Sequence, residues 1–314
     1  MQFSDLNKIK EVLSELNAID LRTVELDEIL SLYAQLSQHV GIITVIPQGT
    51  VVTRAVSCNY LQGKGSGIPN EISQISYNPN AASCGFNRAS WEGKTAFYGS
   101  VRSEFMEPYY TCGFEALGDL KESSNEIDKE TFVIGKWIVK KDLQLVQVSG
   151  NLKHNESQVM KRTETFNEMV LRYPDKIEQL KMIDNFLTSE YSRVVEKTAK
   201  YKYKLSAAYA EFIKHDNWPG LLFPSVQVDG AGTNIALFPE YVHEYLDLER
   251  AALVIYYKRS NDIVNEFGME AFPEGERLRW AEIYKYKLPP AIRKWYNGLS
   301  DDDSFKKYIS YEDL

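Results

Sequence analysis

Two separated stretches of the sequence, residues 51–117 and 221–242, contain polar side chains that could act together on one ligand. They are Arg54, Arg88, Tyr98 and Glu115 in the first stretch and Ser225 and Asn234 in the second. Arginine stays ionised and offers a planar fork of donors that matches phosphate oxygens. A carboxylate can stabilise the positive charge that develops when a bond to a sugar carbon breaks. The set therefore predicts a ligand that carries a pyrophosphate and reacts at a sugar carbon, and NAD is the candidate.

Each of these residues also has an ordinary structural interpretation. An arginine at a strand end is usually a surface ion-pair residue, but Arg54 lies in VVTRAV, where apolar neighbours mean that its charge needs a buried partner. Arg88 follows Asn87 shortly before a glycine turn, which suits an anion-binding side chain. Tyr98 could belong to the core, and Glu115 could merely complement the dipole at the start of a helix.

Three other kinds of motif can be set aside. The run Gly93-Lys94-Thr95 resembles the end of a triphosphate-binding loop, but that loop needs a glycine five positions earlier, where Arg88 stands. The four histidines are isolated from one another, so no metal is expected. No histidine lies in a recognisable partner context for a cysteine nucleophile, and the Gly-x-Ser-x-Gly pattern of a serine hydrolase is absent.

Composition and charge narrow the class of protein. The chain has 314 residues, a net charge of −8 and a pI near 5.3, which disfavour a general nucleic-acid binder because such proteins need a basic surface. No apolar run reaches the roughly 18 residues that span a bilayer, and the N-terminus lacks the pattern of a secretion signal. Three cysteines without metal-like spacing are typical of a reduced setting. We therefore expect a cytoplasmic protein that binds neither a membrane nor nucleic acid directly.

Residue patterns in the first half predict short strands with helices before and after them. The predicted elements are a helical pair over 4–38, two short strands over 41–56, a flexible loop with Gly63, Gly65 and Gly67, a strand over 95–101 and a β-hairpin over 132–149. The run TCGFEALGDL predicts a helix that begins near Thr111 and places Glu115 early in it.

The second half is predicted to be mostly helical before a further group of strands. The predicted elements are a helical stretch over 156–215 interrupted near 173–174, two strands in LLFPSVQV and NIALFP joined by a turn at 230–232, a strand over 253–258 and a helical segment over 276–296. The simplest division is an N-terminal helical segment (1–40), a catalytic domain (41–260) with a helical insertion at about 156–215, and a C-terminal helical tail (261–314). The predicted fold class is α+β.

The order of the polar motifs along the chain resembles the RES domain family. The motifs are Thr-Arg at 53–54, Asn-Arg-x-Ser at 87–90, Phe-Tyr-Gly-Ser at 97–100, Thr-x-x-x-Glu at 111–115, and Leu-Phe-Pro-Ser followed by Gly-x-Asn-Ile-Ala-Leu-Phe over 222–238. The resemblance covers about residues 45–258, and the ordered set is more specific than any one of its pieces.

This resemblance implies a fold similar to that of ADP-ribosyltransferases, with a core of short mixed or antiparallel strands and added helical segments at both ends. Members of the family are typically toxins of bacterial toxin–antitoxin pairs that break down NAD by phosphorolysis or hydrolysis, or that ADP-ribosylate a protein. The expected ligands and partners are NAD as the substrate, inorganic phosphate as an acceptor and a helix-turn-helix antitoxin that covers the active site. The added terminal regions set this chain apart from a minimal family toxin.

The resemblance implies ligand-binding roles for Arg54, Arg88 and Tyr98, and we add Asn234 to them as a hypothesis. The two arginines would hold the phosphates, and Arg54 would also take part in catalysis. Tyr98 would contact the nicotinamide, and Asn234 would fix ribose or amide groups.

The resemblance also implies the catalytic groups. Glu115 would stabilise the developing cation or orient the attacking oxygen. The catalytic serine is open between Ser225, in the Pro-Ser segment, and Ser206, in the helix that precedes it. A protein ADP-ribosyltransferase would use the same NAD site, and a non-catalytic module that senses a nucleotide is a third interpretation.

Overall fold

A computed structural model describes residues 4–36, 42–58, 67–124, 127–148, 174–259 and 262–282. Within these ranges, ten strands form one mixed sheet. The strands are β1 (Ile42–Ile46), β2 (Val51–Ser57), β3 (Phe97–Val101), β4 (Ile127–Val139), β5 (Leu143–Gln147), β6 (Gly220–Pro224), β7 (Thr233–Leu237), β8 (Leu246–Arg259), β9 (Asp262–Glu274) and β10 (Arg277–Glu282). The α-helices are α1 (Leu6–Ala18), α2 (Leu26–Leu36), α3 (Pro108–Ala116), α4 (Gly118–Glu122), α5 (Ile177–Tyr191), α6 (Lys204–His215) and α7 (Pro239–Tyr245). The predicted α+β class is confirmed.

The sheet is almost divided at one joint, between β2 and β3. Its strands are hydrogen-bonded in the order β1-β5-β6-β7-β3-β2-β4-β8-β9-β10, with β5 and β6 parallel. Within the described residues, β2 pairs with β3 only through Val52↔Val101 and Thr53↔Ser100, whereas it stays paired with β4 along its whole length. The two strands therefore separate after Thr53, and a cleft forms where they part.

Helix α3 lies across this joint and contacts both of the strands that form it. Pro108 is its first residue, a position where the missing N–H has no helical acceptor to lose. Two glycines allow close approach: a Cβ at Gly113 would lie 2.4 Å from the Tyr256 hydroxyl, and one at Gly232 would lie 2.4 Å from Thr111 Oγ1. The close packing of α3 against Tyr256 and against the segment at Gly232 therefore depends on glycine at positions 113 and 232.

The N-terminal helices pack against the rest of the helical layer. α1 buries Ile9, Val12 and Leu16 along one face, at the spacing that predicted a helix. The hydroxyl of Tyr33 in α2 donates to the Leu205 carbonyl at 2.9 Å, which ties the pair to the start of α6. The interpretation of this region as a packed helical pair is confirmed.

The predicted hairpin over 132–149 is wrong in its pairing, although both strands exist. β4 pairs with β2 on one edge and with β8 on the other, and β5 pairs with β1 and β6. Because long strands occupy both edges of β4, no edge is left on which β5 could pair. The chain turns away at the end of β4, where the Val139 N–H donates to the Thr50 carbonyl and the Lys140 N–H donates to the Tyr245 carbonyl.

The predicted helical tail is wrong for residues 262–282, which form β9 and β10. A two-residue hairpin joins these strands, and Gly275 adopts a φ of +63° in it. Leu278 is buried between exposed Arg277 and Arg279, so the pattern has the period of a strand rather than that of a helix. The rest of the predicted segment, 283–296, lies outside the described residues.

Two other predictions fall partly outside the described residues. Of the predicted helical stretch over 156–215, residues 156–173 lie outside the described residues. The remainder is not one helix, because α5 ends at Tyr191 and a 3-10 helix at Lys197–Tyr203 precedes α6. Of the glycine-containing loop, Gly63 and Gly65 also lie outside the described residues. Among the helices that the structure describes, none is both long and apolar enough to cross a membrane.

Candidate active site

A pocket of about 290 Å³ lies where β3 separates from β2. Five of the predicted site residues line it: Arg54, Arg88, Tyr98, Glu115 and Asn234. They come from β2, a loop, β3, α3 and β7, and the most distant pair is separated by 180 positions in the chain. The fold therefore gathers into one cavity the polar residues that the sequence grouped only by type and order.

The Glu115 carboxylate is held by two neutral donors on one of its oxygens. Ser225 Oγ donates to Oε1 at 2.5 Å, and Asn234 Nδ2 donates to the same atom at 2.7 Å. Ser225 and Asn234 are buried, whereas Glu115 is exposed to the pocket. Within the described residues Oε2 makes no hydrogen bond, so it can bind a ligand group.

A cross-strand pair holds Asn234 in turn. Ser100 on β3 lies directly opposite Asn234 on β7, and Ser100 Oγ donates to Asn234 Oδ1 at 3.0 Å. Ser100 is 1% exposed, so this hydrogen bond is sheltered from water. The register of the sheet thus fixes the amide that holds Glu115.

The predicted position of Glu115 at the start of a helix is wrong. α3 begins at Pro108, so Glu115 lies in its last turn. A carboxylate is disfavoured there, because the C-terminal end of a helix carries partial negative charge. The simple interpretation, that Glu115 complements a helix dipole, is therefore excluded. The donors from Ser225 and Asn234 offset the unfavourable position. The true start of the helix lacks a capping signal, because the residue before it, Glu107, makes no side-chain hydrogen bond to the first turn.

Arg54 projects from β2 at the point where β3 leaves that strand. Its Nη1 donates to the Tyr98 carbonyl at 2.6 Å, and its guanidinium lies 5.4 Å from the centre of the Phe97 ring. The sequence predicted that Arg54 needs a buried partner because its neighbours are apolar, and the Tyr98 carbonyl and the Phe97 ring are such partners. They fix the guanidinium at the wall of the pocket.

Arg88 joins its loop to the end of α5. Its Nη1 donates to the carbonyls of Tyr191 (2.6 Å) and Arg193 (3.2 Å), and its guanidinium lies 5.1 Å from the centre of the Tyr203 ring. Arg88 makes no ion pair with a carboxylate in the described parts of the chain. No carboxylate among the described residues therefore neutralises its charge, and Nη1 holds the loop to the end of α5.

Tyr98 anchors the Arg88 loop through its hydroxyl. The Ala89 N–H donates to Tyr98 Oη at 3.1 Å, and Ser90 Oγ lies 2.9 Å from the same atom. Burial raises the pKa of Tyr98 to about 12, so the phenol is neutral at physiological pH. Tyr98 is thus a wall of the pocket and a support for the loop at once.

The two candidate serines lie in different surroundings. Ser225 contacts Glu115 directly. Ser206 is buried in α6, where its Oγ donates to the Tyr203 carbonyl at 3.0 Å and its own carbonyl accepts from the Tyr191 hydroxyl. Ser225 is therefore the serine in contact with the Glu115 carboxylate, whereas Ser206 contacts the backbone of Tyr203.

Some residues near Glu115 belong to none of the sequence motifs and were not predicted. Tyr203 and Gln227 line the pocket, and the Lys121 ammonium lies 3.5 Å from Gln227 Oε1 and 4.8 Å from the centre of the Phe114 ring. Burial lowers the pKa of Lys121, and the negative charge of Glu115 opposes that effect. Ser100 could have been found by extending the alternation of β3 from Tyr98, since both project to one face.

Cys112 also lines the pocket but is poorly suited to act as a nucleophile. Burial raises its pKa to about 12, so the thiol is protonated and unreactive. Among the described residues no group of three or more histidines, cysteines or carboxylates is placed to hold a metal ion.

Comparison with known proteins relates this pocket to one family. The model of the RES domain matches residues 151–254, and a search of the curated proteins gave no match. The matched residues include Ser206, Ser225 and Asn234, whereas Arg54, Arg88 and Glu115 precede them. The structure nevertheless joins the two parts of the chain, because Ser225 and Asn234 both bind Glu115. This match is to the family that the sequence motifs resemble, and it supports that resemblance over residues 151–254.

Proposed function

We propose that this chain cleaves the nicotinamide–ribose bond of NAD, with phosphate or water as the acceptor. The observation that carries the proposal is Glu115, held on one oxygen by Ser225 and Asn234 in a pocket that two arginines also line. The family's association with NAD-acting enzymes supports the choice of substrate.

The residue types suit the electronic demands of this cleavage. When the C–N bond breaks, nicotinamide leaves with the bonding electron pair, and its ring nitrogen becomes neutral without a proton. The ribose carbon becomes oxocarbenium-like, and a nearby carboxylate stabilises that charge. In this proposal Oε2 of Glu115 faces the ribose or orients the attacking oxygen, whose proton is lost to Glu115 or to solvent.

The dimensions of the pocket indicate which part of NAD it encloses. At about 290 Å³ it is at the lower end of the roughly 300–1,000 Å³ typical of ligand pockets, and too small for a whole dinucleotide. We infer that it encloses nicotinamide and its ribose against Tyr98 and Glu115. The pyrophosphate would then lie towards the opening, held by Arg54 and Arg88.

Substitution of Glu115 by glutamine, which replaces one carboxylate oxygen with an amide nitrogen, tests the proposal. Glu115→Gln keeps an acceptor for Ser225 and Asn234 but removes the negative charge, so we expect kcat for nicotinamide release to fall about 100-fold or more. The assay uses purified protein and NAD, with and without inorganic phosphate. Glu107→Gln is the matched control, because Glu107 immediately precedes the same helix and pairs with Arg102 outside the pocket.

The two conditions also identify the acceptor. Cleavage that requires phosphate indicates phosphorolysis, and equal cleavage without it indicates hydrolysis. Intact NAD in both conditions, or parent activity in Glu115→Gln, would contradict the proposal. Label from NAD fixed to one protein band of a lysate would instead favour ADP-ribosyl transfer.

The same activity would make the chain a toxin of a toxin–antitoxin pair. Loss of cellular NAD arrests growth, so we expect arrest on expression of the parent and growth with Glu115→Gln at equal protein level. Relief by a neighbouring helix-turn-helix protein would identify the antitoxin. Unchanged cellular NAD on expression of the folded parent would sink this part of the proposal.

A further inference from the structure

A further positive charge, that of Lys121, lies near Glu115 in addition to those of Arg54 and Arg88. The Lys121 ammonium lies 3.5 Å from Oε1 of Gln227, and Gln227 lines the pocket. Burial lowers the pKa of Lys121, and the Glu115 charge acts against this effect, so the two groups are within electrostatic reach of one another. Lys121 is therefore at the edge of the pocket, on the side of Glu115.

The fold fixes the backbone that carries Lys121. Only Leu117 separates its helix, α4, from α3. The buried Lys258 ammonium donates to the carbonyls of Lys121 (3.2 Å) and Ser123 (2.5 Å). The Lys121 side chain lies over the Phe114 ring, with Nζ 4.8 Å from the ring centre. These contacts limit where the ammonium can lie and keep it within reach of Gln227.

The described side chains do not use all the donors of the Lys121 ammonium. An ammonium has three N–H donors, and the contact with Gln227 is at the long limit of a hydrogen bond. Lys121 forms no ion pair with any side chain that the structure describes. Lysines outside the candidate active site do form such pairs with glutamates, as in Lys136, Lys141 and Lys214.

An anionic acceptor needs a cation at this position. In the proposed function, Arg54 and Arg88 hold the pyrophosphate of NAD. A phosphate ion that approached the ribose would meet the negative charge of Glu115, and like charges at close range repel each other. A positive charge near Glu115 offsets that repulsion, whereas water is neutral and needs no such charge. The position of Lys121 therefore favours phosphate over water.

We propose that Lys121 binds inorganic phosphate beside Glu115 and so makes phosphate the acceptor. The inference rests on the proposed function. A phosphate oxygen forms a bond to the ribose carbon as the C–N bond breaks, and the electron pair of the C–N bond leaves with nicotinamide. The attacking oxygen already carries negative charge, so no proton has to be removed from it. The products are nicotinamide and ADP-ribose with phosphate on the ribose carbon.

The phosphate dependence of nicotinamide release tests this role. We expect Lys121→Gln to raise KM for phosphate about tenfold or more, because it removes a charge-assisted hydrogen bond. This rise should be at least about fivefold larger than any rise in KM for NAD. Lys121→Arg keeps the positive charge and should hold KM for phosphate within about threefold of the parent value.

Lys141→Gln is the matched control. Lys141 also lies over an aromatic ring, with Nζ 4.6 Å from the centre of Tyr245, but it pairs with Glu244 and does not line the pocket. Because the same change of residue type is made at a comparable ring contact, any general effect of losing a lysine appears in both variants. KM for phosphate should be unchanged in Lys141→Gln.

Titration with inorganic phosphate in the absence of NAD separates this inference from the proposed function. Calorimetry measures how many phosphate ions bind and how tightly. We expect Lys121→Gln to bind one phosphate fewer than the parent, or to bind it about tenfold more weakly. Lys141→Gln should bind phosphate as the parent does. Equal binding by the parent and Lys121→Gln, or no binding by the parent, would overturn the inference.

Three kinetic results would also overturn it. They are an unchanged KM for phosphate in Lys121→Gln, equal rises in KM for phosphate and for NAD, and a rate of nicotinamide release that does not depend on phosphate. The second result would assign Lys121 to the phosphates of NAD, and the third would leave NAD cleavage standing with water as the acceptor. If NAD stayed intact in every condition, the proposed function would fail, and the calorimetric titration would still decide whether Lys121 binds phosphate.

Discussion

The two sides of the candidate active site hold their charged groups in different ways. On one side, the Glu115 wall, Ser225 and Asn234 donate to the carboxylate, and Ser100 holds Asn234. On the other side, the Arg88 wall, the guanidinium donates to backbone carbonyls at the end of α5. Side chains on β3 and β7, together with Ser225 just after β6, therefore fix the first charged group, and packing of a loop against helices fixes the second.

If the proposed function is right, this difference predicts that the two walls affect catalysis and NAD binding separately. The Glu115 wall depends on the register between β3 and β7, which cannot shift by one residue without reversing the faces of every side chain. The Arg88 wall depends on the packing of α5 and α6, which the N-terminal helices support through Tyr33. We expect changes in the Glu115 wall to lower kcat, and changes in the Arg88 wall to raise KM for NAD.

Asn234→Leu should have the largest effect among changes that spare Glu115 itself. Leucine preserves the approximate volume but leaves Glu115 with one donor and Ser100 Oγ without its acceptor. We expect kcat to fall about 100-fold, or roughly 2.7 kcal/mol in the activation barrier, and the free energy of unfolding to fall by about 1–3 kcal/mol. Nicotinamide release and urea unfolding measure the two effects. An unchanged kcat in the folded variant would remove Asn234 from the site.

Comparison of Ser225→Ala with Ser206→Ala sharpens the contrast within the matched family region. Ser225→Ala removes a donor from Glu115 Oε1, so we expect kcat to fall about tenfold, the value of a hydrogen bond to a charged group. Ser206→Ala removes a hydrogen bond to the Tyr203 carbonyl, and we expect a smaller change that raises KM. Steady-state kinetics of the two variants decide the matter. A larger fall in kcat for Ser206→Ala would assign the catalytic role to Ser206 instead of Ser225.

Local patterns predicted the elements better than their pairing. The alternation in β4 and β5 identified both strands, but pairing depends on which edges are free, and long neighbours occupied both edges of β4. Residues 277–282 were assigned to a helix, although Leu278 between two exposed arginines has the period of a strand. A single sequence contains the periodicity of an element, whereas its partners are set by the rest of the fold.

The site shows the same limit. Residue type and order were sufficient to name Arg54, Arg88, Glu115 and Asn234, which the structure brings into one pocket. Lys121 and Tyr203 could not be named, because the packing of α4 alone brings Lys121 near Glu115, and the packing of the 3-10 helix before α6 alone brings Tyr203 to the pocket. The sequence also could not show which of the two serines contacts Glu115, and the fold brings Ser225 to that carboxylate.

Tyr98→Phe should have the smallest effect on activity and tests the Arg88 wall alone. Phenylalanine keeps the ring but leaves the buried Ala89 N–H without its acceptor, which costs about 1 kcal/mol of stability. Because the Arg88 loop loses an anchor while Glu115 is untouched, we expect KM for NAD to rise about threefold, within the range that such a loss can produce. The kcat should stay near the parent value. A fall in kcat without a change in KM would mean that the two walls are not separable.

The pH dependence of stability gives an independent check on the same residue. Burial raises the pKa of Tyr98 to about 12 in the folded protein, above its usual value near 10. The neutral phenol therefore contributes stability that is fully present below pH 10 and is lost as the pH rises towards 12, at about 1.4 kcal/mol per pH unit. Tyr98→Phe lacks this loss, so the advantage of the parent in unfolding free energy should shrink between pH 10 and 12. A constant difference across that range would show that the Tyr98 hydroxyl is solvated, and the Arg88 loop would then need another anchor.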